Sequence, residues 1–217
     1  MRVLMQETED AVSAMVHACT FLGGSEGIEE RSGSRHGKPA EIALGGRTID
    51  YTFYDERIAA LNVDREALLG SIEVKTLLDF MDLFAATAAR EGVTLGIVYL
   101  PNKEEVIVPL ASPDELSRTV EDIRGHEALV EGGILAPGAL LTAGGIPDLQ
   151  KNADAARDIL REHAIELGLF YADPLDALRK HSAAGEQLFY TYDTHMNQAG
   201  YLRTAQALLP ALIRWLE

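Results

Sequence analysis

The chain holds a single cysteine, Cys19, so no disulfide can form within it, and a reducing compartment suits that count. Basic residues are few. Lys and Arg number 19 against 34 Asp and Glu, for a net charge of -15. Binding along a phosphate backbone needs a basic face, so nucleic acid is not an expected partner. Docking on anionic lipid is disfavoured for the same reason. No run of about 18 apolar residues occurs, so no transmembrane segment is expected. The apolar start Met1–Met5 meets acids at Glu7 and Glu9, too soon for a signal peptide. As written the chain reads as cytoplasmic. A further segment ahead of Met1 would make it periplasmic or membrane-associated. Walker loop, Gly-x-Gly-x-x-Gly and Cys-x-x-Cys are absent, which leaves nucleotide and zinc-ribbon readings without support. No cofactor is expected.

What is present is ordinary globular material. The 217 residues are 47% hydrophobic and 24% charged, enough to bury a core without staples. The organisation expected is a single domain over 1–217, with an irregular loop and hairpin insertion at about 23–53. Arg2–Met5 could be a strand, and Glu9–Leu22 has helical spacing. Residues 23–46 are glycine-rich and polar. Ile42–Leu44 and Thr48–Phe53 flank Gly45-Gly46 as a hairpin. Ile72–Glu91 carries an apolar stripe of Val74, Leu77, Leu78, Met81, Leu83, Phe84 and Ala88, closed by Gly92. Val93–Leu100 is a continuous apolar run, expected as a strand buried on both faces. Pro101-Asn102-Lys103 closes it. Ser112-Pro113-Asp114-Glu115 starts a helix, and 131–147 is irregular. Leu149–Leu167 reads as one helix ended by Gly168, and Leu169–Ala172 as a strand. Asp173-Pro174 opens a helix to Lys180, Leu188–Tyr192 is short and extended, and Gly200–Leu216 is the last helix. Helix, glycine and strand twice in succession imply βαβ units, an α/β fold and a mostly parallel sheet.

The stretch richest in chemistry runs from Leu188 to Tyr201. Asp193 and His195 stand two residues apart before a helix that Asn197 can cap. A carboxylate beside an imidazole fixes its tautomer and stabilises the imidazolium, which makes His195 a general base for a hydroxyl. Two loop residues that happen to be neighbours are the plain alternative. Tyr190 and Tyr192 either line a substrate wall or pack. Lys103 either reaches a bound anion or is a solvated loop lysine. The six histidines form no His-x-x-x-His or His-Glu-x-x-His. A metal set would need Asp193 and His195 with His163 or His181 as a third ligand, and no metal is expected.

The block Asp193-Thr194-His195-Met196-Asn197-Gln198-Ala199-Gly200, with the helix–strand pattern ahead of it, resembles the C-terminal half of the SGNH/GDSL hydrolase superfamily. It is most similar to the branch of alginate-type polysaccharide O-acetyltransferases and acetylesterases, which carry Asp-x-His-Trp-Asn-x-x-Gly here. Pro101-Asn102-Lys103 is similar to that branch's Pro-x-Lys segment after a strand. The resemblance covers roughly 53–216. It implies a three-layer α/β/α sandwich of flavodoxin-like type, and ester hydrolysis or O-acyl transfer on carbohydrate through a Ser-His-Asp triad. His195 would be the base and Asp193 its orienting acid, with Asn197 and Gly200 at the family's helix-start positions; beside this carry-over, Asn197, Tyr192 and Lys103 are the candidates for binding substrate or supporting the site. Met196 replaces the usual Trp.

The departures are specific. The chain has no Gly-Asp-Ser, and no serine follows His195. The nucleophile is therefore unassigned. Ser25, in Gly23-Gly24-Ser25-Glu26-Gly27, is the best remaining candidate, though it follows a helical pattern and lacks a strand–turn–helix context. Where relatives place oxyanion donors, Thr8 and Glu9 stand, and a carboxylate there would repel an oxyanion. A sheet without its first strand would expose an edge, which a partner chain could cover. The competing expectation is a non-catalytic carbohydrate-binding or assembly subunit on the same fold.

Overall fold

The computed structural model describes residues 39–117 and 145–217. The expected strand at Arg2–Met5, the helix at Glu9–Leu22, Thr8, Glu9 and Ser25 lie outside them, as does most of 131–147.

The described chain opens with a hairpin. Strand β1 (Ala40–Leu44) pairs antiparallel with β2 (Arg47–Tyr51), in register from Ala40 opposite Tyr51 to Leu44 opposite Arg47. Gly45 and Gly46 take φ of 56° and 75°, the pair of positive angles that a twisted two-residue hairpin turn demands. Alternation then sends Ile42, Leu44, Ile49 and Tyr51 into the core. The second strand stops at Tyr51 instead of Phe53, because Thr52 turns away and donates its N–H to the carbonyl of Thr191 at 2.9 Å. That bond joins the hairpin to the Asp193 loop.

Helices α1 (Asp55–Leu61), α2 (Arg65–Gly70) and α3 (Ile72–Glu91) follow. Ser71 caps α3 through its hydroxyl, and Gly92 ends it in the left-handed conformation, the end that the sequence predicts. Of the expected stripe, Met81 is buried, while Leu83 points out at 61% exposure. Strand β3 (Gly96–Val98) then pairs parallel with β4 (Phe170–Ala172). Tyr99 extends the ladder by one bond to the Ala172 carbonyl. Phe170 stacks on Trp215 with ring centres 4.7 Å apart. Gly96 makes room for this pair, since a Cβ there would stand 2.9 Å from the Phe170 ring.

The expectation that 93–100 is a strand buried on both faces is overturned. Only three of those residues form strand, and Val93, Val98 and Leu100 are exposed. Among the described residues β3 has β4 as its one strand neighbour. The fold is mixed α/β, predominantly helical, with two two-stranded sheets among the described residues.

After β3, Asn102 caps a five-residue helix, α4 (Lys103–Ile107), through a reciprocal box with Glu105. A 3-10 turn, Val108–Leu110, continues it, and 113–117 are helical again behind Ser112. The helix expected at Leu149–Leu167 is two helices, α5 (Ile146–Asn152) and α6 (Ala155–Glu166). They are held by different partners. Gln150 on α5 donates to the carbonyls of Val108 and Ala111. At the break, Asp154 forms an ion pair with Arg179 at 2.7 Å, while Arg157 on α6 pairs with Asp176 at 3.2 Å. Gly168 then turns the chain into β4 with φ of 69°. Helices α7 (Leu175–Ala183) and α8 (Gln198–Leu216) complete the fold. The core joins hairpin, α4 and the Leu188 segment through Ile42, Tyr51, Ile107, Leu178, Leu188 and Phe189. Among the described residues no helix is long and apolar enough to cross a membrane.

Candidate functional site

The loop from Leu188 to Asn197 is pinched at its base. Phe189 and Met196 form an isolated antiparallel bridge, Tyr190 N–H donates to the His195 carbonyl at 3.2 Å, and Asn197 N–H to the Leu188 carbonyl at 2.9 Å. Phe189 and Met196 are buried, and the Thr204 hydroxyl donates to the Met196 sulfur at 3.2 Å. The base is thus anchored in the core while the tip, 190–195, faces out.

The helix start fixes the far end. The Asn197 carboxamide oxygen accepts Gly200 N–H at 3.0 Å, and its nitrogen donates to the Gln187 carbonyl at 2.8 Å. One side chain therefore caps α8 and ties it back across the loop. Asn197→Ala is expected to lower stability by about 1 kcal/mol, the usual worth of an N-cap, read as a drop in thermal midpoint.

At the tip, Asp193 Oδ1 accepts the backbone N–H of His195 at 3.1 Å and lies 2.5 Å from its Nδ1. The two residues bracket Thr194 in a turn closed by the acid itself. Partial burial pulls the Asp193 pKa up, but the His195 N–H and ring and the Thr194 N–H outweigh it, so the carboxyl stays below its ordinary range. The imidazole side chain is 63% exposed, and no hydrogen bond among the described residues occupies its Nε2. Nδ1 held by a carboxylate and Nε2 open is the arrangement of a general base.

The other expected site residues divide. Tyr192 is 65% exposed and Tyr190 54%. With Thr191 and Asp193 they line a shallow open cleft. Lys103 is not the solvated loop lysine that was the simpler reading. It is fully buried at the start of α4. Its ammonium donates to the carbonyls of Asp193 at 2.8 Å, Thr191 at 3.2 Å and Tyr190 at 3.3 Å, and it lies 5.9 Å above the Tyr51 ring. Sequence reasoning missed its neighbour. Glu104 is fully buried, accepts Tyr54 N–H at 3.0 Å, and has an Oε2 with no hydrogen-bond partner among the described residues. Burial raises its pKa against the opposing pull of the Tyr54 N–H, Arg57 and Lys103. The overlooked signal was the Asn102…Glu105 capping box, which marks 103–107 as helix instead of loop.

The two histidines weighed as third metal ligands are engaged elsewhere. His163 pairs with Asp82 at 3.0 Å and His181 with Glu186 at 3.1 Å. Among the described residues no group of three or more His, Cys, Asp or Glu is placed to hold a metal ion. No serine hydroxyl among the described residues bonds the His195 ring.

The chain matches no family model, no curated protein and no solved structure.

Proposed function

We propose that this chain is an SGNH-hydrolase-like domain that hydrolyses acyl esters of carbohydrate or transfers their O-acyl group. The observation that carries the reading is the 2.5 Å contact between Asp193 Oδ1 and Nδ1 of an exposed His195. In this mechanism Nε2 takes the proton of a hydroxyl as its oxygen attacks the acyl carbon. Asp193 keeps the proton on Nδ1 and stabilises the imidazolium that forms. His195 then returns the proton to the leaving alkoxide. The nucleophilic hydroxyl is unassigned among the described residues. The parallel β3–β4 pair with its flanking helices would be the described part of a three-layer α/β/α sandwich.

The carbohydrate assignment draws support from the resemblance and from Tyr190 and Tyr192. Both rings stand open to solvent beside Asp193, where a sugar face could lie against them. The test is turnover of acetylated xylo-oligosaccharides and 4-nitrophenyl acetate. The reading expects acetate release by the wild-type chain and its loss in His195→Gln. Release that persists in His195→Gln removes the assignment.

A second reading is a non-catalytic carbohydrate-binding or assembly subunit. The absence of Gly-Asp-Ser from the sequence favours it. It expects sugar binding without turnover, and binding that survives loss of both Asp193 and His195.

A further inference from the structure

Lys103 sits where a lysine is costly. Its side chain has no solvent exposure, and a buried ammonium is tolerated only when its donors are used. An ammonium has three N–H bonds, and three carbonyls receive them: Tyr190, Thr191 and Asp193. All three belong to the tip of the loop that carries the dyad. The rest of the tip's backbone has few other bonds. Thr191 shares its carbonyl with Thr52 N–H, and Tyr190 N–H reaches His195. The Lys103 Nζ is therefore the centre on which the tip folds, and the tip's curvature is what brings Asp193 Oδ1 to both the N–H and the ring of His195.

We propose that Lys103 is the positioning residue of the Asp193–His195 pair: its ammonium gathers the three tip carbonyls, and loss of its proton to solvent releases the pair. The inference rests on the catalytic reading above and adds its regulation by pH. It concerns a group that touches neither substrate nor reacting atoms.

The charge balance around Nζ sets where release occurs. Burial pushes the Lys103 ammonium down to about 8, with Glu104 and Asp193 pulling it up and Arg57 pushing it further down. Glu104 follows it on α4, Arg57 lies on α1, Tyr51 on β2 beneath it, and Asp193 with His195 on the loop. Burial raises the Tyr51 phenol to about 12, outside the relevant window. Above about pH 8 the neutral amine keeps two donors for three carbonyls, and the carbonyl left over must find water.

Stability runs the other way. The folded value lies below the usual 10.5, so between them the folded chain binds fewer protons than the unfolded one. The contribution of this group to stability therefore rises with pH across that window. A merely structural lysine would show only that rise. A positioning lysine also shows the dyad coming apart while the fold grows no weaker.

The experiment follows the His195 backbone amide by NMR in the full chain, from pH 6.5 to 10, beside the Thr191 and Asp193 amides. The His195 amide reports its bond to Asp193 Oδ1 without any turnover. Wild type is expected to show one transition near pH 8 in all three amides. Lys103→Met is expected to lack it and to hold the alkaline positions already at pH 7. A folded Lys103→Met that keeps the wild-type shifts at pH 7 overturns the inference. So does a wild type whose three amides stay still to pH 9.5, and that result stands even where Lys103→Met does not fold. A wild type in which the His195 amide and ring show no contact with Asp193 at pH 7 instead contradicts the catalytic reading itself.

Discussion

His195→Ala is expected to lower kcat/KM for an acyl ester by about 10²- to 10⁴-fold, the range in which a positioned general base contributes. The thermal midpoint should stay within the scatter of a surface substitution. The two halves of that expectation come from one geometry. The His195 ring is 63% exposed and its one hydrogen-bond partner among the described residues is Asp193, so its removal takes away chemistry and almost no packing. Asp193→Asn should fall in a similar range for a different reason. The amide keeps the shape but cannot stabilise an imidazolium, and its own N–H can turn the ring to the wrong tautomer. The pH dependence separates the two roles. The Asp193 pKa is depressed in the fold, so its contribution to stability is present above the ordinary 3.8 and is lost as pH falls through the folded value. Asp193→Asn should therefore flatten the acid end of the stability curve, while His195→Ala should remove only the part of the depression that the ring supplies, since the backbone N–H at 195 still bonds Asp193. Chemical denaturation of the three proteins between pH 2 and 6 reads this directly.

The second large effect lies one turn into α8. Gly200→Ala would put a Cβ 2.2 Å from the Leu188 carbonyl oxygen and 2.9 Å from the Met196 Cβ. The first of these is backbone, so no rotamer change relieves it, and either α8 or the Leu188 segment must move. Overpacking of this kind costs about 3 kcal/mol. For a chain of this size that is a fall of about 6–12 °C in thermal midpoint. The damage should reach the dyad as well, because Gly200 N–H is what the Asn197 cap holds and Asn197 ties the loop to Gln187. Gly200→Ala is thus expected to lose both stability and turnover, where His195→Ala loses turnover alone. Calorimetry and the ester assay on the same preparations distinguish them. The expectation also gives the spacing of Asp193, His195, Asn197 and Gly200 a physical reason: an acid, a base, a cap, and the only residue small enough to let the capped helix touch the loop's other strand.

Much of this was legible in the residues. The Gly45-Gly46 hairpin, helix α3 with its Gly92 end, the turn at Gly168 and the Asn197 cap each rest on local chemistry, and each stands within a residue or two of its expected place. The parallel pairing of two helix-preceded strands was equally local in origin. What failed was tertiary. Apolar content alone suggested that 93–100 was buried on both faces, yet burial depends on what lies against a strand, and Val98 and Leu100 are exposed. Helix periodicity ran unbroken through Ala153 and Asp154, but the pull of Arg179 and the separate partners of α5 and α6 divided it. The deepest miss is Lys103-Glu104-Glu105. Lys103 reads as an anion contact or a solvated loop lysine, yet it and the two glutamates after it are all buried. Lys103 is held by the carbonyls of Tyr190, Thr191 and Asp193, some 90 residues away, Glu104 accepts Tyr54 N–H, and the Glu105 carbonyl accepts Arg179, contacts that no local pattern encodes. The dyad itself was visible as a pair of residue types two apart; that it is held from below by a lysine was not.

In the proposed reading, His195, oriented by Asp193, activates a serine hydroxyl. A fluorophosphonate probe tests it most directly, because the probe reacts with base-activated serines whatever the natural substrate. The measurement is the rate of probe incorporation into wild type and His195→Ala, with the modified peptide identified by mass spectrometry. The account predicts stoichiometric labelling of one serine in wild type and a rate at least 100-fold lower in His195→Ala. Folded wild type that takes up no probe, or a labelling rate that His195→Ala leaves unchanged, would contradict it.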